Sequence, residues 1–383
     1  MAHELRGASA IVGVGVAGLG EAPGWTAWEI MARAAKAALD DAGVRLDEVD
    51  GLFCAMMEDS MPALLAAEHL GIRPRFVDGT MVGGASFVNY LASATAALHA
   101  GLCDVALVCY GSNQRTASGK LVTASKPPPY EAPYRPRYPI SAYAMAAARH
   151  MHDYGTTRAQ LADVAVAARA WAAHNPEAFT RGSLTREEVL SSRMVGDPLT
   201  VRDCCLVTDG GGALVLVRGA RAKDHPHPPV HVLAAAAEST HRQISQMPDF
   251  TVTAARESGA RAYEMAGVGP SDMDVVETYD AFTINTVLFM EDLGFCAKGE
   301  GGAFVADGNI APGGSLPVNT NGGGLSCTHP GMYGIFPVIE AVRQIRGTAP
   351  GLQVEGAELA LAHGNGGVLS SQVTAILGAA STL

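Results

Sequence analysis

The chain has 383 residues, of which 48% are apolar and only 17% charged, so a disordered polypeptide is excluded and a large buried core is expected. A net charge of −11 argues against a nucleic-acid partner, and no basic start with a long apolar run marks a signal peptide or a ~20-residue membrane span. The seven cysteines, Cys54, Cys103, Cys109, Cys204, Cys205, Cys296 and Cys327, are odd in number and form no C-x-x-C pair, so neither a zinc site nor a disulfide framework is expected and a reducing cytoplasm fits.

In chain order, Thr26 and Glu29 form a capping box that opens a helix running to about Asp41, and Gly43 stops it. An Ala-rich helix is predicted over 85–100, closed by Gly101, and a short buried strand over 105–109. A region of different character follows, at about 113–196. It opens with a loop rich in Pro and Tyr that carries Arg115, Lys120, Lys126, Arg135 and Arg137. Helices over 140–154 and 158–175 come next, the second opened by Thr157 and Gln160 as another capping box. An inserted segment of this length reads as a binding lid or an interface. Beyond it, the pattern gives a helix near 252–266, a strand near 275–277 and a helix near 283–293. Such alternation implies sheets covered by helices on both faces.

The chain also repeats itself. Residues 37–50 (AALDDAGVRLDEVD) match 261–274 (RAYEMAGVGPSDMD), Glu68-His69-Leu70-Gly71 matches Glu291-Asp292-Leu293-Gly294, and 104–111 (DVALVCYG) matches 357–364 (AELALAHG). Three matches in one order predict two copies of one α/β unit. The expected halves are 1–225, including the insert, and 226–383.

Residues 319–334 read NTNGGGLSCTHPGMYG. Glycines let a backbone pass close to a ligand and Pro330 fixes the exit of the turn, which singles out His329. With ETYDAFT at 277–283, AHGNGG at 362–367 and HDYGTTRAQLADVAVAARAWAAHNPEA at 152–178, this segment resembles the thiolase superfamily in its sterol-carrier-protein branch, over nearly the whole chain. Thr328 and Asn365 depart from that family's glycines. The resemblance implies a thiolase fold: two duplicated βαβαβαββ halves in a five-layered α-β-α-β-α arrangement with an inserted loop domain.

Thiolases place a nucleophilic cysteine at the start of a helix, where the helix N-terminus favours the thiolate. Here that position falls on Gly84, with Ser86 nearby, and both are expected to border the substrate. Cys327, two residues before His329, reads as a packing residue. The family's second cysteine falls on His363 and its oxyanion-hole residue on Tyr279, while Tyr333 follows His329. The implied pocket holds Tyr279, Tyr333, His329 and His363, with no cysteine and no metal. Two tyrosines and two histidines suit proton transfer and hydrogen bonding better than acyl transfer.

A thiolase-like chain of this kind resembles the steroid side-chain-cleaving retro-aldolases. That implies cleavage of a β-hydroxyacyl-CoA, such as a 17-hydroxy steroid with a three-carbon CoA thioester, to a 17-keto steroid and propionyl-CoA. In this scheme Tyr333 or Tyr279 removes the hydroxyl proton, His329 and the other tyrosine hold the enolate oxygen, and His363 protonates carbon or relays a proton. No cofactor is expected beyond the coenzyme A of the substrate. Lys120, Lys126, Arg135 and Arg137 would meet CoA phosphates or a partner protein. The implied partners are a second copy and a small OB-fold/zinc-ribbon protein, in some cases joined to a MaoC-like hydratase. An acyl-CoA acyltransferase and a non-catalytic subunit of an acyl-CoA-processing complex are the alternatives.

Overall fold

A computed structural model describes residues 4–57, 59–118 and 127–383. The first half runs β1 (Ser9–Gly20), α1 (Ala27–Ala42), β2 (Gly51–Cys54), α2 (Pro62–Leu70), β3 (Phe76–Asp78), α3 (Ser86–His99) and β4 (Val105–Ser112). The insert supplies α4 (Ile140–Tyr154), α5 (Arg158–Ala172), α6 (Arg186–Leu190) and a small hairpin of β5 (Met194–Gly196) and β6 (Leu199–Thr200). Strand β7 (Asp209–Arg218) completes this half. The second half runs β8 (Val230–Ser239), α7 (Ala255–Ala266), β9 (Val275–Thr278), α8 (Thr283–Asp292), α9 (Gly301–Val305), α10 (Ile335–Arg346), β10 (Leu359–Gly366) and β11 (Ser371–Gly378).

Local chemistry sets these elements much as the sequence suggests. The Thr26–Glu29 and Thr157–Gln160 boxes form reciprocally at the starts of α1 and α5. Gly43 and Gly267 stop α1 and α7 in the left-handed region, at φ 64° and 71°. The strand expected to end at 109 continues to Ser112, because β7 pairs with it as far as Gly210.

The strand order is β3-β2-β4-β7-β1-β8-β11-β10-β9. The two half-sheets meet where Ala10 and Ile11 pair with His231 and Val230. Each half has two parallel neighbours, β2–β4 and β9–β10, followed by antiparallel ones. All three sequence matches fall on equivalent elements. The third strand of the second half, however, is reduced to one parallel bridge, Val276 to Val318.

Helices α3 and α10 are largely buried and pack against both half-sheets, while α1 and α7 cover the outer faces. This is the five-layered α-β-α-β-α body. The insert extends past the expected position 196, through the β5–β6 hairpin, to the start of β7. Its helix α5 lies over α8, and all ten residues of α8 are buried.

Candidate active site

The N-termini of α3 and α10, equivalent helices of the two halves, meet in the central layer. The Gly84 carbonyl, just before α3, is so close to Gly334 that a Cβ there would lie 2.0 Å from it. Two helix N-termini thus face one region, which favours developing negative charge.

The ring of Tyr279 fills the position a cysteine would need. A Cβ on Gly84 would lie 2.2 Å from Tyr279 Cε2 and 2.6 Å from its hydroxyl, so glycine is required there by the tyrosine. The Tyr279 hydroxyl accepts the Tyr333 N–H at 3.1 Å and donates weakly to the Gly331 carbonyl at 3.4 Å. The Tyr333 hydroxyl donates to Asn321 Oδ1 at 3.3 Å. Tyr279 meets Tyr333 and His329 edge-on, both at 5.5 Å between ring centres, and His329 lies nearly parallel to Tyr333 at 6.0 Å.

Three of the four expected catalytic side chains therefore converge in a buried cluster. Burial pushes both phenols well above the usual tyrosine range, so they are protonated at neutral pH. Burial also lowers His329 to about 4, and its Nε2 has no hydrogen-bond partner among the described residues. The cluster thus holds a neutral imidazole with an unused nitrogen beside two neutral phenols.

His363 does not join it. On strand β10 its neighbour Gly364 faces α3, while the His363 ring packs on Phe289 of α8 at 4.5 Å. Its nitrogens are taken by Thr374 Oγ1 and Gln372 Oε1, both at 2.9 Å, and burial lowers it to about 4. The expected role in protonating carbon is corrected on this ground: alternation along a strand sends the ring to the other face.

Ser86 is also spoken for. Its hydroxyl donates to the Gly83 carbonyl at 2.7 Å and accepts the Val82 N–H at 2.9 Å, closing the turn before α3. Arg135 and Arg137 lie exposed on the Pro-rich loop leading into α4. Lys120 and Lys126 fall outside the described residues.

Several contributors were not singled out by sequence reasoning. Asp280 does not cap the helix after it; its carboxylate accepts the N–H of Gly324 at 2.6 Å and of Leu325 at 3.3 Å, holding the glycine loop. Burial raises it to about 7 against those bonds. Tyr110 of β4 donates to the Pro330 carbonyl and accepts the Met332 N–H at 3.1 Å, while Thr208 accepts the His329 N–H at 2.9 Å. Residues 205 and 206 form one wall: Cys205 N–H bonds the Ala281 carbonyl and Leu206 N–H bonds the Gly324 carbonyl. Cys205 thereby lies against the turn that follows Tyr279. Burial raises the Cys205 thiol well above its usual range, which opposes a thiolate. From the insert, Tyr143 stacks on Phe282 at 4.3 Å and accepts from Asn365 at 2.9 Å, tying α4 to the site.

With this geometry, the comparisons with known proteins are consistent. The Thiolase C-terminal domain-like family model matches residues 236–379. An acetyl-CoA acetyltransferase of Methanothermobacter thermautotrophicus is 36% identical, covering 94% of this chain and 96% of its own. A steroid side-chain-cleaving aldolase of Thermomonospora curvata is 34% identical, covering 90% and 92%. The 17-hydroxy-3-oxo-4-pregnene-20-carboxyl-CoA lyase of Mycobacterium tuberculosis is 33% identical, covering 96% and 98%. The chain belongs to the thiolase superfamily, in its sterol-carrier-protein branch. Among solved structures, the Ltp2-ChsH2(DUF35) aldolase superposes with a TM-score of 0.89 at 34% identity, covering 98% of each chain.

Proposed function

We propose that this chain is a carbon–carbon lyase that cleaves a β-hydroxyacyl-CoA in the retro-aldol sense. The substrate we infer is a 17-hydroxy steroid carrying a three-carbon CoA thioester, giving a 17-keto steroid and propionyl-CoA. The names of the aldolase and lyase relatives support this reading. The observation that carries it is the Tyr279 ring over Gly84, where thiolase chemistry needs a thiol.

In the reaction the β-hydroxyl loses its proton, the Cα–Cβ electrons become a thioester enolate, and a proton returns to Cα. No water is consumed and no acyl-enzyme forms. Both phenols begin protonated, so a tyrosine takes the hydroxyl proton only as it passes its own onward. His329 Nε2, neutral and unpaired, is the acceptor for that proton and the source of the one returned to carbon. The second tyrosine and the two helix N-termini hold the enolate oxygen. His329 thus moves from the expected oxyanion role to that of proton carrier.

The reaction needs no resident cofactor in this scheme. Arg135 and Arg137, exposed at the surface, are proposed to meet CoA phosphates or a partner. We further propose a homodimer and a small OB-fold/zinc-ribbon partner, with a MaoC-like hydratase supplying the hydroxyl; the aldolase named with ChsH2(DUF35) supports the partner. A cytoplasmic site is proposed, and no helix among the described residues is long and apolar enough to cross a membrane.

The acetyltransferase relative favours a second reading, acyl transfer through a thiol, for which Cys205 beside the Ala281 turn is the candidate. A coupled assay for propionyl-CoA release, run with the co-expressed partner, separates the two. Tyr279→Phe and Tyr333→Phe are each expected to lower kcat by about 100-fold or more, and Cys205→Ala to leave turnover near wild type. Full activity in both tyrosine variants, with normal assembly, would sink the retro-aldol assignment. Loss of activity in Cys205→Ala, with acyl-CoA protecting the wild type from alkylation, would establish acyl transfer.

A further inference from the structure

Directly behind the tyrosine cluster lie two carboxyl groups that the reaction does not use. Glu277 is on β9 and Glu340 on α10, and both are buried. The Thr320 hydroxyl is 2.7 Å from Glu277 Oε1 and 2.8 Å from Glu340 Oε1. Thr320 has one hydroxyl proton, whereas an ionised carboxylate has none. If both carboxyls were ionised, one of these two short contacts would hold no proton. The other donors do not supply it. The Thr320 N–H is directed at Glu277 Oε1 at 3.1 Å, and the Gln344 amide divides two protons among Thr320, Glu340 and the Leu352 carbonyl. The second oxygen of each carboxyl has no partner among the described residues, which is costly for a buried carboxylate.

We infer that Glu277 and Glu340 share one proton through Thr320, and that this singly charged unit is a positioning device for the tyrosine cluster. Thr320 stands between two residues that set the site. Asn319 Oδ1 accepts the Thr278 N–H at 2.6 Å, fixing the strand end that carries Tyr279. Asn321 Oδ1 accepts the Tyr333 hydroxyl. Holding Thr320 from both sides therefore registers both phenols.

The surrounding charges agree. Burial raises both carboxyls, and each raises the other or is raised by a nearby anion: Glu340 and Asp280 act on Glu277, and Glu177 acts on Glu340. Arg343, the cation facing Glu340, is paired with Glu177 at 2.7 Å. Asp280, Cys327 and Glu277 all bear on Tyr333. Loss of the shared proton would put two negative charges behind that phenol.

Thermal melts and pH–rate profiles of full-length protein test this. A carboxyl raised in the folded state gives stability that is present below the ordinary carboxylate range and is lost as pH rises through the folded value. Glu340→Gln cannot lose it. The Tm of Glu340→Gln relative to wild type is therefore expected to climb as pH rises above the ordinary carboxylate range. A difference between Glu340→Gln and wild type that stays constant or falls as pH rises would overturn the shared proton. The kinetic arm rests on the retro-aldol reading. There, Glu340→Gln is expected to move the alkaline limb of kcat upward by about one pH unit, and Thr320→Val to lower kcat about tenfold at unchanged KM. A limb that does not move would overturn the link to Tyr333. The melts need no substrate, so a failed cleavage assay and a failed proton pair are separable.

Discussion

At the residue scale, Gly84 and Tyr279 are one decision written at two distant positions. A side chain at 84 and the ring of 279 compete for the same volume. Gly84→Ala is therefore expected to displace the Tyr279 hydroxyl from the Tyr333 N–H. A shift of about 1 Å at a reacting group costs about 100-fold in rate, and overpacking a buried site costs about 1–3 kcal/mol. Steady-state kinetics with a denaturant melt should show a kcat loss larger than that stability change explains. Unchanged kcat in Gly84→Ala would show that the ring is free to move and that its placement is not required. By the same steric argument, Gly84→Cys is not expected to restore thiolase chemistry.

At the scale of elements, the insert is locked to the second half by a buried ionic network. His150 of α4 meets Glu291 of α8 at 3.0 Å, and Lys298 bridges Glu291 and Asp292 at 3.0 and 2.6 Å. Asp292 in turn accepts from Thr253. This is how α8 can be buried on every side although it ends in two acids. Burial would raise Glu291, but His150 and Lys298 outweigh it and hold the carboxyl below its usual range. Its contribution is thus present above the ordinary carboxylate range and lost as pH falls through the lowered value. Glu291→Gln is expected to cost about 3 kcal/mol near neutral pH, because it leaves buried partners uncompensated. Chemical denaturation should show the gap closing as pH falls through the lowered value, and a gap that persists in acid would count against the ionic account. The sequence displayed Glu291 and Asp292 only as part of a repeat. Their partners come from elements remote in the chain, so their purpose was not legible there.

For the whole molecule, β3 is an open sheet edge among the described residues. Val77 on it is 36% exposed, and Met57, Met61, Leu64, Leu65 and Met81 are exposed around it. An uncovered edge with apolar surroundings invites pairing, and a second copy would cover it by matching the same edge to itself. Val77→Lys is expected to weaken the proposed homodimer by at least about tenfold in Kd, as judged by sedimentation at falling concentration. A monomer in the wild type, or no change in the variant, would remove this edge from the interface.

Much of the architecture was written locally. Capping boxes, helix-ending glycines and the repeated Ala-Gly-Val stretches act over a few residues, so the sequence alone determined the alternating elements, their duplication and the thiolase frame. It also determined that position 84 has no thiol. What it could not determine was direction and company. Which way His363 points depends on strand parity at β10, and whether Cys205 and Asp280 border the site depends on how remote segments cross. The loss of the second half's third strand to a single bridge, and the proton count at Thr320, likewise follow from contacts between residues far apart in sequence. Those contacts exist only once the two halves close on each other, and that closure turned a thiolase-like sequence into a cluster of two phenols and one unpaired imidazole.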